Sequence, residues 1–196
     1  MRPKLSIKGC QDVPPQIGGP EKERIGNNIY FYKEVNGDSI HDLMRELDLA
    51  EADILVHSIE NRVAPYHINL HINTYGGVIT DALAALGHIR RLRVPIYSII
   101  DGYCASAGTL FSVACTKRYM YQDSMVLIHQ LSDVIWGKYN EICDEKKNAD
   151  MFMSKIKEIY ARYTKAPKEK LDEILKHDLW WDAKTCKKYG LVDEVI

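Results

Sequence analysis

Neither sign of charge dominates this chain, in which 26 lysines and arginines stand against 27 aspartates and glutamates, a net charge of −1. A dedicated binder of nucleic acid or of an anionic membrane carries a basic excess or patch, so the balance argues against that class. No apolar run approaches the ~18 residues of a membrane span. The opening Met1–Cys10 lacks the apolar centre of a signal peptide. The five cysteines (Cys10, Cys104, Cys115, Cys143 and Cys186) contain no C-x-x-C pair and no zinc-type spacing. Scattered thiols of this kind point to a reducing, cytoplasmic setting. Also missing are the G-x-x-x-x-G-K-[ST] phosphate loop and the G-x-G-x-x-G dinucleotide turn. No internal repeat or low-complexity tract occurs.

What is present fits one ordinary domain. The chain has 196 residues, 46% hydrophobic and 27% charged, enough for one substantial core without staples. Residues 1–28 read as a polar lead-in, with Pro14-Pro15, Gly18-Gly19-Pro20 and the charged run Glu21–Arg24. Residues 29–196 read as a single domain. Ile29–Tyr32 is an aromatic strand closed by an Asn36-Gly37 turn, with Asp38 or Ser39 capping a helix. The apolar positions of that helix are Ile40, Leu43, Met44, Leu47, Ala50, Ile54 and Ile59. A strand follows at His67–Ile72, a helix at Val78–Arg91 and a strand at Val94–Ile100. A tight turn at Gly102–Gly108 leads to a short helix ending near Ala114. Arg118–Tyr121 and Met125–Ile128 read as strands, and Lys138–Tyr163 as a long helix with Ile142, Ala149, Phe152, Ile156, Ile159 and Tyr163 on one face. Pro167–Lys176 opens on proline at its favoured first position. A small helix at Ala183–Tyr189 stops at Gly190, and Leu191–Ile196 reads as a strand. Strands alternating with helices imply an α/β fold.

Four stretches can carry chemistry. Asn73-Thr-Tyr-Gly-Gly77 empties a strand through a double glycine into a helix, where unpaired backbone N–H groups and the helix dipole suit an oxyanion or a phosphate. The same residues also suit a plain turn. Ser106, among the alanines and glycines of Gly102–Gly108, can be presented on a sharp strand-to-helix turn, the logic of a nucleophile elbow; it can equally cap or pack the helix. Cys104 is its rival as a nucleophile. His129 ends the apolar strand and can serve as a general base or sit as a satisfied core residue. Asp178 stands beside Leu179, Trp180 and Trp181, and the tryptophans read as packing residues at a helix terminus. His67 and His71 share a strand face but have no third partner for a metal.

Taken in order, these stretches resemble the proteolytic subunit of the Clp protease, a ClpP-type serine peptidase, over residues 29–196. That family runs N-S-P-G-G, then G-x-A-A-S-M-G, then M-I-H-Q, then a carboxylate ahead of Y-G-L-V-D. Here the matching runs are Asn73–Gly77, Gly102–Gly108, Val126–Gln130 and Asp178 ahead of Tyr189-Gly-Leu-Val-Asp193. The resemblance implies a spiral ClpP/crotonase-type fold of β-α units and a serine endopeptidase. Ser106 would be its nucleophile, His129 its general base and Asp178 the orienting carboxylate, with the N–H groups of Gly77 and Ala107 as oxyanion hole. It also implies a homo-oligomer of heptameric rings, commonly stacked in pairs, that takes peptide substrates, and an AAA+ unfoldase partner. No cofactor or metal is implied. Tyr75 replaces the family's proline and Ala107 its methionine, and Asn61–Tyr66 looks like a small insertion. The docking-groove positions hold His71, Arg91 and Tyr119. A crotonase-like acyl-CoA enzyme shares the core and the paired N–H groups, but it does not need Ser, His and Asp together. A serine–lysine signal peptide peptidase would need a lysine base and a membrane segment. A catalytically idle ring subunit is the non-enzymatic alternative.

Overall fold

The computed structural model describes residues 23–196. The lead-in reading of residues 1–22, and Cys10 with it, lies outside them. Two strands begin the fold: β1 (Arg24–Ile25), within the stretch read from sequence as lead-in, hairpins onto β2 (Asn28–Phe31), which is the expected aromatic strand shifted by one residue. The first helix, α1 (Gly37–Asn61), starts earlier than its sequence suggests. Asn36, not Asp38 or Ser39, is the cap: its side chain accepts from the Ser39 N–H, and Ser39 Oγ accepts from the Asn36 N–H. This reciprocal pair satisfies two of the donors that every helix start leaves open. Ile59, which fits the apolar period, is 77% exposed and belongs to the outer face.

The centre of the sheet is β3 (Ile68–Thr74) and β4 (Ile96–Ala105), linked by α2 (Ile79–Arg91). After α3 (Ala107–Ser112) come β5 (Lys117–Met120) and β6 (Met125–Leu127). Then α4 (Tyr139–Tyr163), a 3₁₀ turn at Lys168–Lys170 and α5 (Leu171–Leu175) lead to β7 (Trp180–Trp181), α6 (Ala183–Tyr189) and β8 (Glu194–Val195). Strand order is β1-β2-β3-β4-β5-β8, parallel from β2 onward. β4 forks: Tyr97–Ile100 pair with β5, whereas Tyr103–Ala105 pair with β6. β7 then adds antiparallel to β6.

The fork positions the site. The ladder between β3 and β4 slips at Asn73, whose side-chain oxygen accepts from the Tyr103 N–H at 3.0 Å and replaces a lost backbone partner. A side chain at Gly102 would strike that oxygen at 2.9 Å. Gly102–Cys104 is therefore strand, not turn, and the chain reverses at Ser106 alone. The apolar core includes Ile29, Leu47, Ile72, Ile100, Phe111, Met120 and Tyr160, all nearly inaccessible. Only the C-terminal half of α4 reaches it, through Ile156, Ile159 and Tyr160; Ile142 at the other end is exposed. The other departures from the sequence reading are small. Pro167 precedes the 3₁₀ turn, and the last strand is limited to Glu194–Val195.

Candidate active site

Ser106 sits between β4 and α3 with φ 52° and ψ −127°, a conformation that non-glycine residues rarely adopt. Three contacts hold it there. Its N–H donates to the Leu127 carbonyl at 2.8 Å, and its own carbonyl accepts from the Thr109 N–H and from Thr109 Oγ1. Thr109 Oγ1 in turn lies 2.6 Å from the hydroxyl of Tyr160, so a buried side-chain pair on α3 and α4 supports the strained turn from behind.

The double glycine lies directly against this turn. A Cβ on Gly76 would approach Ser106 Cβ and the Ala105 carbonyl oxygen to 2.7 Å each, and one on Gly77 would meet the Val35 carbonyl oxygen at 2.2 Å. Both glycines have positive φ, 97° and 148°. Val35 grips them through its N–H to the Gly76 carbonyl and its carbonyl to the Val78 N–H, both 2.8 Å. Thr74 Oγ1 donates to the Lys33 carbonyl and accepts from the Gly76 N–H, while its methyl faces Gly108. The N–H groups of Gly77 and Ala107 have no hydrogen-bond partner among the described residues. Two free donors beside a serine on a strained turn are the elements of an oxyanion site.

Gly77, Ser106, Ala107 and His129 line one pocket, whose walls are Leu110, Leu131, Phe152, Ile156 and Tyr160, with Asp133 and Glu145 at its exposed rim. The α4 wall was partly legible in sequence: Phe152 and Ile156 fall on the predicted stripe, whereas Tyr160, which completes the wall, does not. His129 Nδ1 stands 3.6 Å from Asp178 Oδ1, longer than a direct hydrogen bond, and the Asp178 side chain is 73% exposed. Burial holds the His129 pKa below its ordinary value, and the Asp178 charge opposes that shift. Cys104, the rival nucleophile, is completely buried, and burial pushes its thiol far above the usual range. It faces the core, two residues from Ser106.

The remaining sequence candidates lie elsewhere. His67 stacks on Tyr97, with ring centroids 3.9 Å apart. His71 Nδ1 is 3.0 Å from Asp101, which also accepts from the Tyr32 hydroxyl. Among the described residues no cluster of His, Cys, Asp or Glu could hold a metal ion. His71 and Tyr119 lie in one cross-sheet row on either side of Ile99. Arg91 instead lines a separate pocket between α1 and α2, with its guanidinium against His88 and Asp48. The two tryptophans were read as a helix terminus but form a strand: Trp180 pairs with Leu127 and Trp181 with Val126.

The fold is matched by a known protein. A ClpP1 point mutant from Listeria monocytogenes superposes with a TM-score of 0.74 at 23% identity, over 87% of this chain and 91% of that one. The family model described as Clp protease matches residues 25–196. The chain is a member of the Clp protease family.

Proposed function

We propose that this protein is a serine endopeptidase that cleaves unfolded polypeptides and short peptides inside a self-assembled ring. The observation that carries the reading is Ser106 itself. It is held at positive φ at the mouth of an apolar pocket, between two unpaired N–H groups and beside a histidine. No unactivated serine hydroxyl attacks an amide, so each neighbour has a task. His129 accepts the Ser106 proton as Oγ bonds to the scissile carbonyl carbon. The carbonyl oxygen becomes an oxyanion that the Gly77 and Ala107 N–H groups stabilise. The intermediate collapses as His129 returns the proton to the leaving amine, and Ser106 is left as an ester. Water then attacks the ester through the same base, releasing the second product and regenerating the hydroxyl. Asp178, on the Nδ1 side of the ring, stabilises the imidazolium that forms in each half-reaction.

Assembly is supported by apolar surface that a lone protomer leaves exposed. One set is on and after α1 (Leu49, Val56, Ile59 and Val63), and another runs from Val134 through Trp136 to Ile142. Two such regions suit contacts within a ring and between rings. Stacked heptamers are the expected form, with the cytoplasm as the setting; no described helix is long and apolar enough to cross a membrane. Any AAA+ unfoldase must meet a sheet face on which His71, Asp101 and Tyr32 form a polar network. The test is turnover of short fluorogenic peptides by the assembled protein and by Ser106→Ala. Cleavage that is lost in the variant, with assembly retained, supports the reading. Cleavage that survives in Ser106→Ala but is lost in Cys104→Ala overturns it, and no cleavage by either protein favours an idle subunit.

A further inference from the structure

Asp178 has a weak hold on its own position. Its carboxylate makes no hydrogen bond to the described residues, it is mostly exposed, and it lies in the short link between α5 and β7. Of its two flanking elements, α5 is five residues long and β7 only two. Something beyond its own side chain must keep it within reach of His129.

Trp180 is 40% exposed, so it is not simply a core residue. Its ring stands edge-on to two tyrosines, with centroids 6.4 Å from both Tyr75 and Tyr103, at interplanar angles of 79° and 88°. Tyr75 and Tyr103 lie against each other at 4.2 Å, tilted by 32°. Edge-to-face and offset pairs at these separations are favourable beyond the area they bury. Each ring comes from a different part of the site. Tyr75 immediately precedes Gly76-Gly77, Tyr103 is three residues before Ser106, and Trp180 is two residues after Asp178. The backbone continues the same connection, because Leu127 accepts from the Ser106 N–H and pairs with Trp180 on its other side.

We propose that Tyr75, Tyr103 and Trp180 form an aromatic clamp that fixes the Asp178 link to the oxyanion turn and the serine strand, making Trp180 a positioning residue for Asp178. The inference rests on the peptidase reading and extends it to residues outside the reacting groups. Tyrosine at position 75 supplies a ring to the clamp, at the place where the family pattern has proline.

The clamp acts through one charge, so its loss has a signature that a packing defect lacks. The carboxylates near His129 are Asp178, 3.6 Å away, and Asp133 and Glu145 on the pocket rim. Close to Asp178, Glu173 is engaged with Lys176 and His177. If Asp178 drifts, the imidazole loses its nearest negative charge and its protonated form is less favoured. The experiment compares wild type, Trp180→Ala, Trp180→Phe, Tyr75→Leu and Asp178→Asn with a short peptide substrate across pH 4–8. Trp180→Ala should lower kcat about tenfold or more, a fraction of what general-base catalysis supplies, with KM little changed. Its acid limb should move to lower pH in the same direction as in Asp178→Asn. Trp180→Phe should restore most of both, and Tyr75→Leu should show the same trend more weakly. An acid limb that moves in Asp178→Asn but stays in place in Trp180→Ala and Tyr75→Leu overturns the clamp and leaves the peptidase reading standing. Should Trp180→Ala fail to fold, Tyr75→Leu and Trp180→Phe decide the question by the same two readouts. Activity retained in Ser106→Ala would instead remove the reading on which the clamp rests.

Discussion

Gly76 lies so close to Ser106 that a methyl group on the glycine would stand 2.7 Å from the serine Cβ. The Ser106 turn and the double-glycine turn therefore share one packing contact, and neither can move without the other. Gly76→Ala meets both that contact and a φ of 97°, which L side chains rarely adopt. It should reduce peptide cleavage by about two orders of magnitude, the scale of losing an oxyanion donor. Full activity in Gly76→Ala would show that the two turns are independent.

The pH dependence follows from His129. Burial lowers its pKa, and the Asp178 charge limits the drop. In the proposed mechanism neutral imidazole is the working form, so kcat/KM should be full at neutral pH and fall as pH drops through a value below the ordinary ~6.5. Asp178→Asn should move that limb lower still and cost on the order of 10⁴ in turnover, the scale seen when a triad loses the group that sets its tautomer. A loss below tenfold would make Asp178 a structural residue, and Asp133 and Glu145 on the pocket rim would be tested next, since Asp182 caps α6 and Asp193 is held by Arg118.

Stability has its own acid limb. Arg118 reaches Asp193 through two donors, at 3.0 and 2.6 Å, and also bonds the carbonyls of Gly190 and Tyr163. Burial raises the Asp193 pKa, but the arginine's hydrogen bond and charge outweigh it and hold the carboxyl below its usual value. The stabilisation is thus present above the unfolded pKa of ~3.9 and is lost as pH falls through the lower folded value. Arg118→Ala should destabilise the fold by about 2 kcal/mol at pH 7. Chemical denaturation at pH 7 and pH 3 checks this, and an equal loss at both would contradict it.

Much of the site was legible in the sequence, for a physical reason. Ser106, His129 and the double glycine lie at the ends of strands, and hydrophobic alternation marks where strands end. The strand through Gly102–Cys104 was not legible, because glycine and small residues read as a turn while the Asn73 side chain completes the ladder from 30 residues away. β7 was missed because two tryptophans are too short a run to show any period. The outer half of α4 carries an apolar stripe that one protomer does not bury, so the pattern read there as core lies on the surface.

Substrate preference should follow the pocket. Its walls are apolar and its rim carries Asp133 and Glu145. Peptides with leucine before the scissile bond should be cleaved at least about tenfold faster than those with aspartate, which meets an apolar wall and like charge together. Glu145→Gln should narrow the gap. Equal rates for both peptides would mean that another surface selects the substrate.

Docking of an unfoldase should be unusual. His71 and Asp101 occupy the sheet face as a hydrogen-bonded pair, and Arg91 lies apart on α2. Covering such groups with an apolar loop removes the hydration they keep and offers no polar partner in return. A general Clp unfoldase with ATP should therefore support little degradation of a folded substrate. Robust degradation would contradict this, and recovery in His71→Tyr would support it.

The most direct measurement is covalent labelling by a fluorophosphonate probe, followed by peptide mapping. A serine activated by a base beside two unpaired N–H groups reacts with such a probe, whereas a capping or packed serine does not. The account predicts one labelled residue, Ser106, with labelling slowed in His129→Ala and absent in Ser106→Ala. No labelling of the assembled wild-type protein, or labelling at any other residue, would contradict it.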